Sequence, residues 1–451
     1  MPTPTKTQLT ADQQAAVDAF FAFLVSDAPT FVLSGGAGVG KTFLMNYLSN
    51  DLMLTYERSC GIMGIDPVPY NIHFTATTNK AGEVLERSVN QPVQTIHSFL
   101  GLRVWDDYKS GKTKIETSHN TKTHRQIILF IDESSMISTE LYEIILEHVI
   151  DSKIVFVGDK SQLSPIGEEI SPVYLNVDPN YFVHLTQPVR NANTPALVDL
   201  CKQLRETVET EKFYRIRPNV PAIQFLDPSQ MEGKMNQYFL EQNDSARILC
   251  YSNTRVNDYN EYIREIRGLP KEFVEGDQLV VATTFARGKL VLNVEREVYV
   301  HSVDPQIYKY GYQDVTPDGQ EILYRTFGIT PRASFMDPVE VPVAVRPAHV
   351  AATLQVLKKR KEWSRYFELK NFMADLRGKE ACTVHKSQGS TYDTVFIDLG
   401  NIGCCHDAEM VARMLFVAAS RATSQVFFYG DLPYKYQGPD YHATANTLAA
   451  E

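Results

Sequence analysis

The residues with the clearest chemical meaning in this chain form the stretch Ser34-Gly35-Gly36-Ala37-Gly38-Val39-Gly40-Lys41-Thr42. It fits the pattern Gly-x-x-x-x-Gly-Lys-Thr, follows an apolar run at 31–33 and opens a helix-like run at 43–48, which is the context that a phosphate-binding loop requires. Glycines let the backbone wrap a phosphate without steric conflict, and the N–H groups at the helix start face the anion. In this pattern Lys41 reaches the outer phosphates and the Thr42 hydroxyl ligates Mg²⁺. Gly35 through Thr42 are therefore predicted to bind a nucleotide.

Two carboxylates follow a second apolar run. The run at 127–131 is typical of a central parallel strand covered on both faces, and Asp132 and Glu133 end it. Ligands of such sheets bind beyond the carboxyl ends of the strands, so both acids are predicted to lie near the bound phosphates. Asp132 is expected to hold Mg²⁺ through water, and Glu133 to orient and deprotonate the attacking water. After the strand-like run at 154–157, Gln162 is placed to contact the γ-phosphate and to report hydrolysis.

Several hydroxyl-bearing segments suit either a nucleic-acid backbone or the protein's own helix ends. Thr77 and Thr78 follow a strand-like run, where a hydroxyl can contact a phosphate or cap a helix, and the two roles are equally favoured. The stretch Thr95-Ile96-His97-Ser98-Phe99 repeats the theme and adds an aromatic ring suited to stack on a base. Near the start of the chain, Gln13 completes a capping box with Thr10, and its alternative role is to pair with adenine. Taken alone, the cap is favoured.

The stretch 103–116 is predicted to be a short hairpin. Ser110-Gly111 supplies the turn, and β-forming residues lie on both sides. Trp105 and Tyr108 are unusual on so short and polar a hairpin. Either they pack onto the parent domain or one of them contacts a ligand, and packing is favoured for Trp105.

Composition and patterning limit the class of protein. A chain of 451 residues is expected to form two or more domains, and 43% hydrophobic with 22% charged residues is ordinary for a soluble globular protein. No apolar run reaches membrane-spanning length, and the first residues lack the apolar core of a signal peptide, so a cytoplasmic protein is expected. The net charge of −10 argues mildly against a sequence-independent DNA coat protein but permits a basic groove. The Cys404-Cys405-His406 cluster favours a thiol pair over a metal site.

The order of the patterns indicates two α/β parts with an insertion. Strand and helix patterns alternate to about residue 185, which predicts a parallel sheet, and a second such series begins at 247. Residues 294–345 predict short antiparallel strands, and a helical run at 350–376 follows. The basic run at 358–361 either touches nucleic acid or, as the favoured interpretation, is a solvated helix face.

In order and spacing, five segments resemble the motif series of superfamily 1 helicases. The match is to the B branch, which holds RecD-like, Pif-like and phage Dda-like enzymes, with the Dda type nearest. The segments are residues 35–42, 131–133, 157–162, 384–391 and 417–422. The resemblance implies that Gln13 reads adenine, and that Arg190 and Arg421 reach the γ-phosphate from the second domain and offset charge in the transition state. It also implies that a set of polar side chains grips the backbone of single-stranded DNA: Thr77, Thr78, His97, Ser98, His385, Ser390 and Thr391.

The same resemblance implies an α/β fold with two RecA-like, parallel-sheet P-loop domains. Residues 1–102 and 118–190 would form the first, and 191–293 with 378–451 the second. Residues 103–117 would form a strand-separating pin, which raises the expectation that Trp105 or Tyr108 meets the duplex fork. Residues 294–377 would form a small SH3-like β-barrel with a helical tower.

The implied activity is that of an ATP-dependent DNA helicase. ATP with Mg²⁺ would be hydrolysed between the two RecA-like domains, driving 5′-to-3′ movement on single-stranded DNA and unwinding of duplex. The expected partners are single-stranded DNA and single-to-double-strand junctions, together with single-strand-binding or replication proteins. The enzyme is expected to be a monomer, to be encoded by a phage, and to act in DNA replication or recombination. Three alternatives stay open: a translocase that mainly displaces bound proteins, a nucleotide-switched DNA-binding assembly protein, and a small-molecule kinase.

Overall fold

The structure, a computed structural model, describes residues 9–108, 113–165, 167–187, 194–287, 290–332 and 336–441. In chain order its helices are α1 (Ala11–Leu24), α2 (Lys41–Tyr47), α3 (Met53–Met63), α4 (Asn79–Val89), α5 (Ile96–Leu100), α6 (Thr139–His148), α7 (Pro195–Thr210), α8 (Pro228–Phe239), α9 (Asn253–Ile266), α10 (Pro347–Arg360), α11 (Trp363–Phe372), α12 (Leu399–Ile402) and α13 (Ala408–Ala419). Its strands are β1 (Thr30–Gly35), β2 (Asn71–Ala76), β3 (Val93–Thr95), β4 (Arg103–Asp106), β5 (Thr113–Glu116), β6 (His124–Arg125), β7 (Ile127–Asp132), β8 (Val149–Ile150), β9 (Lys153–Gly158), β10 (Phe182–Leu185), β11 (Ile223–Leu226), β12 (Ala246–Cys250), β13 (Gln278–Val281), β14 (Phe285–Arg287), β15 (Leu290–Leu292), β16 (Glu297–Val303), β17 (Tyr308–Tyr310), β18 (Ile322–Pro331), β19 (Val339–Ala344), β20 (Leu376–Gly378), β21 (Ala381–Thr383), β22 (Tyr392–Asp398) and β23 (Ala422–Tyr429).

The chain divides into two compact units. Unit 1 comprises Met1–Leu102, Thr117–Leu226 and Ser387–Glu451, and unit 2 comprises Arg103–Glu116 and Asp227–Lys386. The phosphate-binding loop therefore shares a unit with the predicted motifs beyond residue 387.

Unit 1 contains a parallel sheet with the strand order β10-β1-β9-β7-β2-β3. Strands β1, β7 and β9 are buried along nearly their whole length, as expected for central strands covered on both faces. Phe20 of α1 packs against Phe31 of β1 and Phe130 of β7, with ring centroids 5.4 and 6.1 Å away. Because parallel strands point their carboxyl ends to one edge, the loop after β1 and the acids that follow β7 lie at the same edge.

A second parallel arrangement in unit 1 pairs β11 with β23 and β23 with β22. Helix α13 precedes β23, packs against α7 and is buried from Val411 to Ala419. So complete a burial of a helix is expected only where protein surrounds it on all sides.

Unit 2 combines a parallel pair with an antiparallel sheet. β12 pairs with β21 in parallel, and the antiparallel sheet has the order β17-β18-β16-β13-β20, with β19 on β18. The inner face of this sheet buries Val281, Val300, Ile329 and Val341 completely. Helices α10 and α11 form a second small core with the start of β18. Strands β4 and β5 form the antiparallel hairpin predicted for 103–116.

The predicted α/β class with parallel sheets is confirmed. The antiparallel strands begin at Gln278, earlier than expected, because Gln278–Val281 is a short strand that composition does not distinguish from the preceding α/β series. The helical run at 350–376 is two helices, since α10 ends at Lys361 in the left-handed region. The boundaries of the four predicted domains and the SH3-like assignment stay predictions. Across the described ranges, no helix combines the length and apolarity needed to cross a membrane.

Candidate nucleotide site and DNA-contacting surface

The phosphate-binding loop leaves β1 and enters α2 through glycines with positive φ. Gly38 has φ 80° and Gly40 has φ 87°, values that favour glycine because it has no Cβ. A Cβ on Gly35 would lie 2.8 Å from Cγ2 of Val39 and 2.9 Å from a backbone oxygen of Leu185. The glycines are thus required by the path of the loop itself, and Thr42 follows as the second residue of α2.

Lys41 folds over the first residues of this loop. Its Nζ donates to the carbonyl oxygens of Gly35 and Gly36 at 2.7 and 2.9 Å. Loss of solvation lowers the pKa of Lys41, and the charges of Asp159, Glu133 and Asp132 oppose that shift. The ammonium group therefore lies between the loop and a set of acids, where it suits the charge of bound phosphates.

Gln13 connects the first helix to the same loop. The side chain and backbone of Gln13 form a reciprocal capping box with Thr10, at 3.1 and 3.3 Å, so the predicted cap is confirmed. The remaining amide donor, Nε2, lies 3.4 Å from the carbonyl oxygen of Val39. Gln13 therefore caps α1 and also lies against the phosphate-binding loop. Its contact with adenine stays a prediction.

The acids at the end of β7 combine an unusual backbone with an unsatisfied oxygen. Glu133 has φ 54° and ψ 42°, in the left-handed region, and its N–H donates to Oδ1 of Asp132 at 2.9 Å. Loss of solvation and the charge of Glu133 raise the pKa of Asp132 to about 7, against the opposing charge of Lys41. The buried Oε2 of Glu133 has no hydrogen-bond partner among the described residues. Strain and a buried orphan acceptor on one residue indicate a functional site.

Gln162 is held by a residue from the far end of unit 1. The Nε2 of Gln388 donates to Oε1 of Gln162 at 3.1 Å and to Oγ of Ser135 at 3.2 Å. Ser135 lies two residues after Glu133. The carboxamide of Gln388 therefore joins the segment that carries the acids to the segment that carries Gln162.

Two buried arginines of unit 1 lie beside this network. Arg421 donates to the carbonyl oxygens of Val417 and Ser390 at 3.1 and 3.3 Å. Burial lowers the pKa of Arg421, and the charge of Glu133 is the largest opposing influence. Arg413 donates to the carbonyl oxygens of Lys160 and Gln162 at 2.8 and 2.7 Å and so fixes the backbone around Gln162.

Two predicted DNA-contacting segments lie side by side in unit 1. Thr78 caps α4 by accepting from the N–H of Ala81 at 3.2 Å, and the Thr77 hydroxyl donates to the carbonyl oxygen of Glu133 at 3.1 Å. A Cβ on Gly389 would lie 3.5 Å from Cβ of Ala81. Ser390, the next residue, has a buried Oγ with no partner among the described residues. Thr391, which follows it, is exposed.

The prediction that Phe99 stacks on a base is wrong. Phe99 is only 4% exposed, and its ring stacks on His124 with centroids 4.1 Å apart and planes inclined by 16°. His73 packs at 5.3 Å on the same ring. Its neighbour Ser98 is exposed, and burial lowers the pKa of His97. The contacts of Ser98 and His97 with DNA stay predictions.

In unit 2 the hairpin places its aromatic side chains differently from one another. Tyr108 contacts Phe367 of α11 edge-on, with centroids 5.2 Å apart, whereas Trp105 is 39% exposed. An ion pair of 2.8 Å between Asp107 and Lys114 links the two sides of the hairpin. Packing was favoured for Trp105, but the ring contact falls on Tyr108. His385, also in unit 2, is exposed.

Comparison with known proteins agrees with this arrangement. Residues 8–220 match a family model described as an AAA domain, and residues 380–429 match the UvrD-like helicase C-terminal domain. The ATP-dependent DNA helicase dda of Enterobacteria phage T4 is 24% identical over 434 residues, which cover 88% of this chain and 93% of that protein. These matches support a Pif1-like superfamily 1B helicase related to Dda. Within that family, the ATP-dependent DNA helicase Pif1 of Campylobacter jejuni is 26% identical over 253 residues, covering 51% of this chain and 49% of that one.

A solved structure also aligns along nearly the full length of the chain. The Pif1 helicase from Bacteroides in complex with ADP-AlF3 and ssDNA covers 96% of this chain and 94% of its own, at 14% identity and a TM-score of 0.47.

The residues of this site fit ATP and Mg²⁺. The positive-φ glycines and Lys41 suit phosphates, while the Thr42 hydroxyl and the Asp132 carboxylate are the oxygen ligands that Mg²⁺ prefers. Within the described residues, no group of three or more His, Cys, Asp or Glu side chains could hold a metal alone.

Sequence reasoning missed three side chains at this site: Arg205, Gln388 and Arg413. Gln388 lies inside the recognised motif at 384–391, so its polar side chain in that motif could have indicated a role at the site. Arg205 lies on α7, whose amphipathic pattern resembles that of many solvent-facing helices, and Arg413 lies inside the apolar run of α13. In neither helix does residue spacing indicate which partner the arginine contacts. Arg190, predicted to reach the γ-phosphate, lies outside the described residues.

Proposed function

We propose that this protein is an ATP-dependent DNA helicase that moves 5′ to 3′ along single-stranded DNA and unwinds duplex. The observation that supports it best is the hydrogen-bonded link from Ser135 and Gln162 to Gln388. That link joins the acids beside the phosphate-binding loop to the segment at 389–391, which lies next to the start of α4. A nucleotide-driven motor needs such a connection between the site of hydrolysis and the grip on the strand.

The proposed chemistry assigns each side chain one task. Lys41 binds the outer phosphates. Thr42 and Asp132 would hold Mg²⁺, which would neutralise phosphate charge. Glu133 accepts a proton from the attacking water at its carboxylate. Arg421, together with Arg190, stabilises the charge that develops on the transferred phosphate.

Movement follows from a change of grip when ATP is hydrolysed. Gln162 senses the terminal phosphate, and Gln388 transmits its displacement to Ser390 and Thr391. Thr77 and Thr78 hold the backbone of the strand from the neighbouring segment, and His97, Ser98 and His385 add further contacts. Single strands and single-to-double-strand junctions are the proposed substrates. The proposal includes a monomeric, cytoplasmic enzyme that works with single-strand-binding or replication proteins.

The experiment that tests this function is unwinding of duplexes that carry either a 5′ or a 3′ single-stranded tail. We expect ATP-dependent unwinding from the 5′ tail, and Lys41→Ala should abolish it while single-strand binding remains. Unwinding from the 3′ tail alone would contradict the proposed polarity. A protein that hydrolyses ATP in response to single strands but unwinds neither duplex would instead be a translocase.

A further inference from the structure

Arg205 of α7 is a cationic side chain beside the phosphate-binding loop that no recognised motif includes. Its Nη2 lies 2.8 Å from Oδ2 of Asp159, in an ion pair whose side chains are 19% and 0% exposed. Asp159 immediately follows β9 and also accepts from the N–H of Ser161 at 3.1 Å. Transferring two charges from water to the protein interior costs free energy, so a buried ion pair of this kind is weak evidence of a contribution to folding stability. A functional role for the pair is therefore worth considering.

The guanidinium group lies directly against the loop. A Cβ built on Gly36 would overlap Nη2 of Arg205 and lie 3.9 Å from Oδ2 of Asp159. Lys41 donates to the carbonyl oxygen of the same glycine at 2.9 Å. Because the loop pattern directs Lys41 to the outer phosphates, Arg205 adjoins the part of the loop where those phosphates bind.

Further contacts hold the guanidinium in place. Its Cζ lies 5.0 Å from the ring centroid of Phe416 in α13. Its Nη1 lies 3.5 Å from Nε2 of His184, whose Nδ1 is 3.2 Å from Oγ of Ser34. Burial and the charge of Arg205 lower the pKa of His184, which favours a neutral ring that accepts from the arginine.

Arg205 has more N–H donors than its hydrogen bonds to protein use. A guanidinium group carries five N–H groups, and within the described residues Arg205 makes one bond to Asp159 and one to His184. A planar fork with several remaining donors matches the oxygens of a phosphate group.

We propose that Arg205 is a phosphate-binding residue of the nucleotide site that contacts the terminal phosphate of a nucleoside triphosphate, and that Asp159 holds it in position. This inference rests on the proposed binding of ATP at the loop, and it adds a third arginine to Arg190 and Arg421. Gly36 is required beside it because any side chain there would displace the guanidinium.

The test compares triphosphate with diphosphate binding in the absence of DNA. Fluorescent ADP and a non-hydrolysable fluorescent ATP analogue are titrated into the full chain, into Arg205→Gln and into Arg205→Lys. The control is Arg217→Gln, which removes an arginine whose side chain is 68% exposed. Arg205→Gln should weaken the triphosphate analogue about tenfold or more and ADP less than about twofold, as loss of a charge-assisted bond to one phosphate predicts. Arg205→Lys should be intermediate because it keeps the charge and loses the fork.

A structural role predicts a different pattern. If Arg205 merely stabilised Asp159, both nucleotides would weaken alike or neither would change, and that result would overturn the inference. Should Arg205→Gln fail to fold, the ratio measured with Arg205→Lys decides in the same way. If the unaltered chain bound neither nucleotide, the nucleotide site itself would be refuted, whereas binding of both with an unchanged ratio in the variants refutes Arg205 alone.

A double variant tests the contact with Gly36. Gly36→Ala should weaken the triphosphate analogue by displacing the guanidinium, so adding it to Arg205→Gln should bring little further loss. Additive losses in the double variant would show that the two residues act independently and would overturn the assignment.

Discussion

Glu133 retains two features that a purely structural residue would not be expected to keep. Its left-handed backbone costs roughly 1 kcal/mol for a residue with a side chain, and a buried acceptor without a partner costs about 1–3 kcal/mol. Both are explained if the carboxylate is positioned to receive a proton from water. The acid at this position is therefore better accounted for by chemistry than by folding.

Glu133→Gln should lower DNA-stimulated ATP hydrolysis by about 10² to 10⁴, because the amide cannot accept a proton. Binding of ATP should persist, since the change removes a negative charge next to phosphates. Steady-state hydrolysis and fluorescent-nucleotide binding measure the two quantities. The matched control is Glu140→Gln, an exposed acid in the first turn of α6. Hydrolysis at the unaltered rate in Glu133→Gln would refute the role of general base.

Asp132 predicts a pH dependence of stability in the nucleotide-free protein. Loss of solvation and the charge of Glu133 raise its pKa from 3.8 to about 7. Between those values the folded state keeps a proton that the unfolded chain has released, so stability falls as pH rises toward 7. In the unaltered chain, this proton should lower the free energy of unfolding by about 2 kcal/mol as the pH rises from 5 to 7. Asp132→Asn should remove this decrease, so that its urea midpoint changes less over the same pH range. Asp66→Asn, an exposed aspartate, is the control and should leave the slope unchanged. An equal slope in Asp132→Asn and the unaltered chain would contradict the assignment.

At the scale of elements, the hairpin β4–β5 needs packing against another element to be stable. Two short strands alone are marginally stable in water. Here the rings of Tyr108 and Phe367 of α11 form a T-shaped pair, and an aromatic pair contributes about 0.5–1.5 kcal/mol beyond its buried area. Trp105 stays 39% exposed, which leaves it accessible to a duplex fork. The structure thus distinguishes a packed ring at Tyr108 from an exposed ring at Trp105, and contact of Trp105 with a duplex fork stays a prediction.

Trp105→Ala and Tyr108→Ala should each reduce duplex unwinding while single-strand-stimulated ATP hydrolysis stays within about twofold of the unaltered rate, since the nucleotide site is untouched. Phe367→Leu, which keeps apolar volume, should reproduce Tyr108→Ala and add little to it in the double variant. Tyr434→Ala, at a side chain 89% exposed, is the control. Unwinding at the unaltered rate in both hairpin variants would refute the assignment of the hairpin as a strand-separating pin.

The same elements show what could be predicted from the chain alone. The loop at 35–42 and the acids after β7 were predictable because each follows a continuous apolar run, and strand ends in a parallel sheet share one edge. Phe99 was not predictable, because its apolar ring suits a base and a protein core equally, and only the fold brings His124 onto it. Arg205 could not be found, since its partner Asp159 lies 46 residues away in the chain and α7 carries no motif.

At the scale of the whole molecule, unit 1 joins the predicted nucleotide-binding segments and the predicted strand-gripping segments by hydrogen bonds. Gln162 belongs to the segment that follows β9, and Gln388 to the segment that contacts α4 through Gly389. Both amides are buried, at 3% and 9% exposure, so loss of their bond cannot be compensated readily by water. A displacement of Gln162 would therefore be transmitted to Gln388 and to the residues after it.

Gln388→Ala should uncouple hydrolysis from DNA. The variant leaves Oε1 of Gln162 and Oγ of Ser135 without the donor they share, while Lys41, Asp132 and Glu133 keep their places. We expect stimulation of ATP hydrolysis by single-stranded DNA to fall about tenfold, as loss of roughly 1.4 kcal/mol of coupling predicts, with DNA-independent hydrolysis nearly unchanged. Gln437→Ala, at an exposed glutamine of the same unit, serves as the control. Equal loss of hydrolysis with and without DNA would place Gln388 in the hydrolytic site rather than between the two sites, and undiminished stimulation would remove it from the coupling path.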